Sequence, residues 1–314
     1  MAPASGKWET RVEQAFLSFT PWPDGALSLS AGKFVSPFGA YNQRHDSVSD
    51  PFVRPPLPYD YRTMICSGLI PRTNDGFISW KNRPEEFRPG GAPPIWGNPY
   101  LIGAKLSGSL GRFDYRLAVV GAAVSSEPSE WDRVPGREQA PSWVGRAGVR
   151  LSPELHVGLS FDRGPYLLTS AAAPDAYGYG GYDVDDYPQT LWGVDVEWNR
   201  GHTQLRAEWI HDTWEVPNVL DSPVDTSFFV ELSHKPIPGL VAAVRWGRME
   251  FGEVRRSDGT REPWDWTQQR WQAGLGYRFT RFLEARAEYQ HNRTAGTLPE
   301  PDDDLLAFQV RWEL

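Results

Sequence analysis

A chain of 314 residues with 32 Lys and Arg against 40 Asp and Glu carries a formal charge of −8, and without a long basic run this balance excludes a nucleic-acid binder that works by neutralising phosphates. Its 30 Gly and 28 Pro make turns frequent and disfavour long helices, while 15 Trp make it too aromatic for a disordered chain. No stretch approaches the roughly 20 apolar residues of a membrane helix, but a membrane barrel stays open, because only alternate residues of its strands face lipid.

The first residues, Met1 to Lys7, lack the apolar core of a signal peptide. Either the protein is not exported, or the sequence is a mature or partial form. Residues 12–19 and 27–31 then read as a pair of strands across Pro21-Trp22-Pro23-Asp24-Gly25. After a long connection, residues 100–110 and 113–119 form a hairpin through Gly111-Arg112, and 143–151 and 155–161 another through Ser152-Pro153. Residues 192–198 pair with 205–209 across Asn199-Arg200-Gly201-His202, and 228–232 with 240–246 across Lys235 to Gly239. Residues 271–279 and 283–290 meet through Thr280-Arg281, and the chain closes on an alternating strand, Leu306, Phe308, Val310, Trp312 and Leu314 against Ala307, Gln309, Arg311 and Glu313.

These elements give an all-β fold of one domain over residues 1–314: an antiparallel up-and-down transmembrane β-barrel of about 13–14 strands. Short turns close every hairpin, whereas long polar or aromatic links join the hairpins, over residues 125–141, 164–188, 214–225, 251–266 and 292–304. Short periplasmic turns opposite long extracellular loops are the layout of outer-membrane barrels. An odd strand count leaves two readings: an N-terminal strand and signal peptide have been removed, or residues 64–70 or 76–80 supply the further strand.

One parity of the strands is apolar and carries Trp143, Trp198, Trp209, Trp246, Tyr277, Phe279 and Trp312 near strand ends, as an aromatic girdle would. The other carries Lys105, Arg116, Arg146, Arg150, Asp162, Asp195, Glu197, Arg206, Glu208, Glu231, Arg245, Arg278, Glu284, Arg286, Glu288 and Arg311, a mixed-sign lining for a wet lumen. A soluble antiparallel sheet with one solvated face is the competing fold, in which case the chain would be a glycan- or protein-binding domain.

The link over residues 35–98 is by far the longest and the richest in Pro and Arg. Stiff Pro-rich backbone crosses a lumen at little entropic cost, so this insertion is expected to fold inward and narrow the pore, with Arg44, Arg54 and Arg62 at the constriction; a surface cap is the alternative. It opens on Gly32-Lys33-Phe34-Val35-Ser36-Pro37-Phe38-Gly39, then Tyr41-Asn42-Gln43-Arg44-His45 and Tyr59-Asp60-Tyr61-Arg62. This stretch resembles bacterial outer-membrane porins of the phosphate-selective type and their uncharacterised relatives. The resemblance implies a signal peptide, an even-stranded barrel in the bacterial outer membrane, often a homotrimer, and passive diffusion of small ions or solutes. The chain departs from that pattern in lacking a Lys-rich cluster and in ending on Leu314 rather than Phe or Trp.

No nucleophile elbow, phosphate loop or His-Glu-x-x-His zinc motif is present, so neither an enzyme nor a cofactor or metal is expected. His156 and Ser160 share a strand face without a third partner. Asp183, Asp185 and Asp186, and Asp302 to Asp304, read as solvated surface charge rather than cation ligands. The aromatic run Tyr177 to Tyr182 is weak evidence for sugar stacking, and lone Cys66 forms no internal disulfide. A non-conducting outer-membrane scaffold or adhesion barrel is the second functional reading.

Overall fold

The computed structural model describes residues 12–44, 50–83, 91–97, 100–127, 140–168, 171, 183–296 and 303–312. Its strands, in chain order, are β1 (Ala15–Phe19), β2 (Ser28–Val35), β3 (Tyr100–Leu110), β4 (Phe113–Val120), β5 (Ser142–Arg150), β6 (Leu155–Pro165), β7 (Pro188–Arg200), β8 (Thr203–Trp214), β9 (Val224–His234), β10 (Leu240–Phe251), β11 (Glu253–Arg255), β12 (Arg261–Pro263), β13 (Thr267–Arg278), β14 (Leu283–Ala295) and β15 (Asp303–Trp312). Thirteen of them form one antiparallel sheet, β1 to β10 followed by β13 to β15, each hydrogen-bonded to the next in sequence. Among the described residues β1 and β15 are not paired, so the sheet is a curled meander rather than a closed ring.

Tight hairpin turns follow from local chemistry. Gly111 sits at φ +63° between β3 and β4, in the left-handed region that a two-residue turn needs and that a Cβ disfavours. Long-loop residues 253–263 add a small hairpin, β11–β12, that alternation did not reveal. Residues 64–70 and 76–80 supply no further strand of the sheet: Asn74–Ser79 is a short helix, α1, capped by the Thr73 side chain, which accepts from the Gly76 amide at 3.0 Å.

The two faces divide as alternation requires. Trp143, Trp209, Tyr277 and Trp312 are exposed on the convex face together with Leu159, Trp192, Val244, Trp271, Leu275 and Phe308, and Trp198 and Trp246 are half-buried there. Neighbouring rings pack on this face: Trp246 stacks on Trp271 at 5.7 Å and meets Phe228 edge-on at 5.0 Å. One expectation is corrected here. Trp209 and Trp246 do not end their strands but sit near the middle, because β8 and β10 extend further than the apolar alternation does, whereas Trp143 stands second in β5. Past this row the convex face turns polar, with Arg163, Thr190, His211, Thr213, Arg248, Glu250, Gln269 and Arg293.

Candidate functional site

The insertion lies against the concave face. Gly39 donates its amide to Ser160 Oγ on β6 at 3.0 Å, and the amides of Ala40 and Tyr41 converge on Glu208 Oε1 on β8 at 2.8 and 2.5 Å. The Tyr59 hydroxyl reaches the other oxygen of the same carboxylate at 2.5 Å. Further round, Val53 and Arg54 donate backbone amides to Glu288 Oε2 on β14, and Gln189 on β7 donates to the Pro94 carbonyl. A segment that bonds β6, β7, β8 and β14 through their inward side chains is wrapped by the sheet. Two apolar patches complete the fit. At mid-depth Phe38, Tyr41, Tyr59 and Ile95 pack on inward-facing Val144, Leu191, Ile210 and Phe229. At the long-loop end Met64, Ile65, Phe77, Ile78 and Trp80 pack with Trp214, Phe251 and Trp264.

Among the described residues the most buried arginine is Arg245, on β10. Its guanidinium donates to Asp50 Oδ1 at 2.9 Å, to Glu231 Oε2 at 2.8 and 3.1 Å and to the Arg54 carbonyl at 3.0 Å, and it lies 4.1 Å from the Phe52 ring centre. Insertion and wall therefore share one ion triad, in which Asp50 is 5% and Glu231 2% exposed. Burial pushes the Asp50 carboxyl above the ordinary Asp range, with Arg245 pulling the other way. Burial also raises the hydroxyls of Tyr41 and Tyr59 well above the usual phenol range, so both serve as neutral donors.

The three arginines expected at a constriction do not share a partner. Arg44 pairs with Glu197 on β7 at 2.5 Å, Arg54 with Asp60 at 3.2 Å, and Arg62 lies 4.4 Å over the Trp96 ring while donating to the Gly91 carbonyl. Arg270 joins the Asp60 pair at 2.7 Å. Of the wall residues, Glu231 and Arg245 meet as described, and Arg278, Arg286 and Arg311 converge on Glu284. Arg146 grips Asp195 through two nitrogens at 2.8 and 2.6 Å and reaches Asp114 at 3.0 Å. Lys105 holds its Nζ 4.8 Å from the Phe34 ring. The lining expected to be wet is thus largely covered: the insertion and cross-strand partners bury Arg146, Glu231, Arg245 and Arg286, whereas Arg150 and Arg278 stay exposed near the short turns.

Polar space survives beneath the insertion. One cleft of about 330 Å³ opens between Gln43, Arg112, Asp114, Arg116, Arg150 and Glu197. A second, of about 240 Å³, is lined by Asp50, Arg206, Lys235, Arg278, Glu284 and Arg286. Both lie at the short-turn end. His156 pairs with Asp114 at 2.6 Å, while Ser160 is 1% exposed and takes the Gly39 amide, so the two do not act on one another. Asp183 accepts the Asp185 amide, and Asp303 and Asp304 bond Asn292 and His291. No three His, Cys, Asp or Glu side chains among the described residues are placed to hold a metal ion. Asp302, the Tyr177 to Tyr182 run, His45, Asn98 and Leu314 lie outside the described residues.

The sequence matches no protein-family model and no curated protein. Its fold does resemble solved structures. A loop L8 deletion mutant of OmpT, an outer membrane protein of Vibrio cholerae, aligns at TM-score 0.53 and 12% identity over 91% of this chain and 75% of that one. The trimer form of in-vitro folded OmpT aligns at 0.51 and 11% identity, over 91% and 77%. An anion-selective porin from Comamonas acidovorans aligns at 0.52 and 10% identity, over 86% and 64%. The chain shares the antiparallel meander of bacterial outer-membrane porins; similarity at these identities concerns the fold.

Proposed function

We propose that the protein is a porin-like channel of the bacterial outer membrane, a β-barrel that passes small ions or solutes by passive diffusion along a route narrowed by its own insertion. The observation that carries this reading is the partition of the sheet. An apolar convex face ends in an aromatic row, and a charged concave face encloses the insertion. Water-soluble β-domains have no use for exposed Leu159, Trp192, Trp271, Leu275 and Phe308 on one continuous face. The route runs through the clefts flanking Arg116 and Arg206, with Arg44 and Arg245 as the positive groups where insertion meets wall. This reading assigns no catalysis and no cofactor. A homotrimer belongs to it after the trimeric form of OmpT, and mass analysis in detergent would test that assembly.

A second reading, a non-conducting barrel, is favoured by the apolar cluster of Met64, Phe77, Ile78, Trp80, Trp214 and Trp264 at the long-loop end. Planar-bilayer recording separates the two. Channel behaviour requires small, reproducible conductance steps from the intact protein and larger steps after deletion of residues 40–62. Silence from the intact protein, with steps appearing only after deletion, would mark a plugged barrel. Silence from both, in protein shown to be inserted, would remove the channel.

A further inference from the structure

Three strands bring a set of oxygen donors together above the aromatic row. Asp212 on β8 and Asp225 on β9 are direct cross-strand partners, both facing inward and both 0% exposed. Opposed side chains at such a position have Cβ atoms about 4.5–5.5 Å apart. One oxygen of each is satisfied by a neutral donor: Gln189 Nε2 bonds Asp212 Oδ2 at 2.6 Å, and the Trp214 indole bonds Asp225 Oδ2 at 3.1 Å. The remaining oxygens, Asp212 Oδ1 and Asp225 Oδ1, are buried with no hydrogen-bond partner, as are Gln189 Oε1 and Ser227 Oγ. Gln189 and Ser227 are themselves 0% exposed; Gln189 stands one rung to one side of the aspartate pair with its amide against Asp212, and Ser227 one rung to the other side, opposite Ile210.

Charge makes the arrangement more pointed. No ion pair among the described residues reaches Asp212 or Asp225, and Asp162 on β6, also 0% exposed, stands two strands away through Leu191. Neighbouring positions are apolar: Leu191, Ile210, Met249 and Phe251. Two carboxylates held face to face without a counter-charge in such surroundings are strongly unfavourable. Gln189 Nε2 donates to both Asp212 and the Pro94 carbonyl, which fixes its amide with Oε1 as a free acceptor.

We infer that Asp212, Asp225 and Gln189 form a binding site for a divalent, oxygen-seeking cation of the Ca²⁺ class. Two carboxylate oxygens balance the double charge, the amide oxygen adds a neutral ligand, and water completes the shell. With neither thiolate nor imidazole in the set, softer transition metals are disfavoured. Because Gln189 also holds Pro94, the ion fastens the insertion to β7, β8 and β9. The site does not depend on whether the barrel conducts.

Trp214 touches Asp225 and supplies the readout. Tb³⁺ added to the full-length protein in detergent should emit on excitation of tryptophan, and Ca²⁺ should quench that emission competitively at about 0.1–1 mM, the range of extracellular calcium modules. Asp225→Asn keeps the indole acceptor and should abolish the emission. Independently of any variant, Ca²⁺ added after chelation should raise the unfolding midpoint of the wild type by a few degrees. Absence of sensitised emission and of a Ca²⁺-dependent shift in wild type would overturn the site, as would emission that persists undiminished in folded Asp225→Asn. A shift produced by acid alone, without any response to Ca²⁺, would assign the carboxylates to a shared proton and equally overturn it.

Discussion

Replacing Arg245 with Met removes the one guanidinium that joins insertion to wall at Asp50 and Glu231 while nearly conserving the stem that packs on Phe52. Both carboxylates stay behind, 5% and 2% exposed, and the Arg54 carbonyl and Gln272 Oε1 each lose a donor. Breaking a buried pair in this way costs about 3–5 kcal/mol, mostly because the partner charges are stranded. Arg206 still reaches Glu231 at 3.1 Å, so the larger share of the penalty falls on Asp50, inside the insertion. At about 1.4 kcal/mol per decade, local opening of the segment around Asp50 to Asp60 should rise by roughly 10²–10³-fold. Exposed Arg62, just past this segment, makes this measurable, since trypsin cleavage of the Arg62–Thr63 bond reports the open population directly. Asp50→Asn combined with Arg245→Met should recover much of the protection, because the stranded charge is gone. Equal cleavage rates for wild type and Arg245→Met would refute the claim that this triad holds the insertion in place.

Three further outcomes are expected. At the long-loop end Asp75 accepts from the backbone and side chain of Ser257, and these bonds hold its carboxyl below the usual Asp range; a depressed folded pKa contributes stability that is full above the unfolded value near 3.9 and lost as pH falls through the folded one, so protection of the β11–β12 hairpin from proteolysis should decline with acid below about pH 4, and in Asp75→Asn should be low and independent of pH. At Gly91 a Cβ would stand 1.6 Å from the Thr63 carbonyl oxygen, so Gly91→Ala should break the 63–65 and 91–92 backbone pairing and lower the yield of folded protein, read by gel mobility with and without heating. Leu275→Arg, on the exposed convex face, should destabilise refolding into vesicles by about 2–4 kcal/mol if that face meets lipid, whereas Thr267→Arg, beyond the aromatic row, should cost less than about 1 kcal/mol.

The strands were legible because one buried and one outer face impose period-2 alternation, and twelve residues of β13 and thirteen of β14 carry it almost unbroken. Their far ends were not. On β8 alternation gives 205–209, but the strand is Thr203–Trp214, because the outward positions above the aromatic row, His211 and Thr213, are polar and break the alternation. The same shortfall placed Trp209 and Trp246 at strand ends. For the insertion, the Pro and Arg content directed attention to Arg44, Arg54 and Arg62, whereas the latch is Asp50 against a wall arginine, which only the fold brings together across 195 residues. A usable signal was present in the wall itself. Val144, Leu191, Ile210 and Phe229 are apolar on the parity read as wet, and apolar side chains on a lumen face call for something dry to cover them. Buried Asp212 and Asp225 were unreadable for a different reason: their opposition depends on the register of β8 on β9, which a shift of one residue would destroy.

The height of the apolar face ties these features to one vertical scale. From Phe279 to Trp271 a strand rises roughly 27 Å at about 3.3 Å per residue, and a tilt near 40° reduces this to about 20 Å across the membrane. Arg245 precedes Trp246 and Glu231 follows Val230, so the latch lies level with the aromatic row, which the proposed membrane function puts at the bilayer's outer edge. Asp212 and Asp225 stand three or so residues higher than Trp209 and Phe228, and the Phe77, Trp80 and Trp264 cluster higher again. On the proposed function the longer strands therefore have two jobs divided along their length, a lower part matched to lipid and an upper part that projects clear of it and grips the insertion. That division explains why the strands outrun the apolar pattern. It also means that the latch and the lipid face respond to different substitutions: Arg245→Met should free the insertion while leaving vesicle insertion intact, and Leu275→Arg should do the reverse.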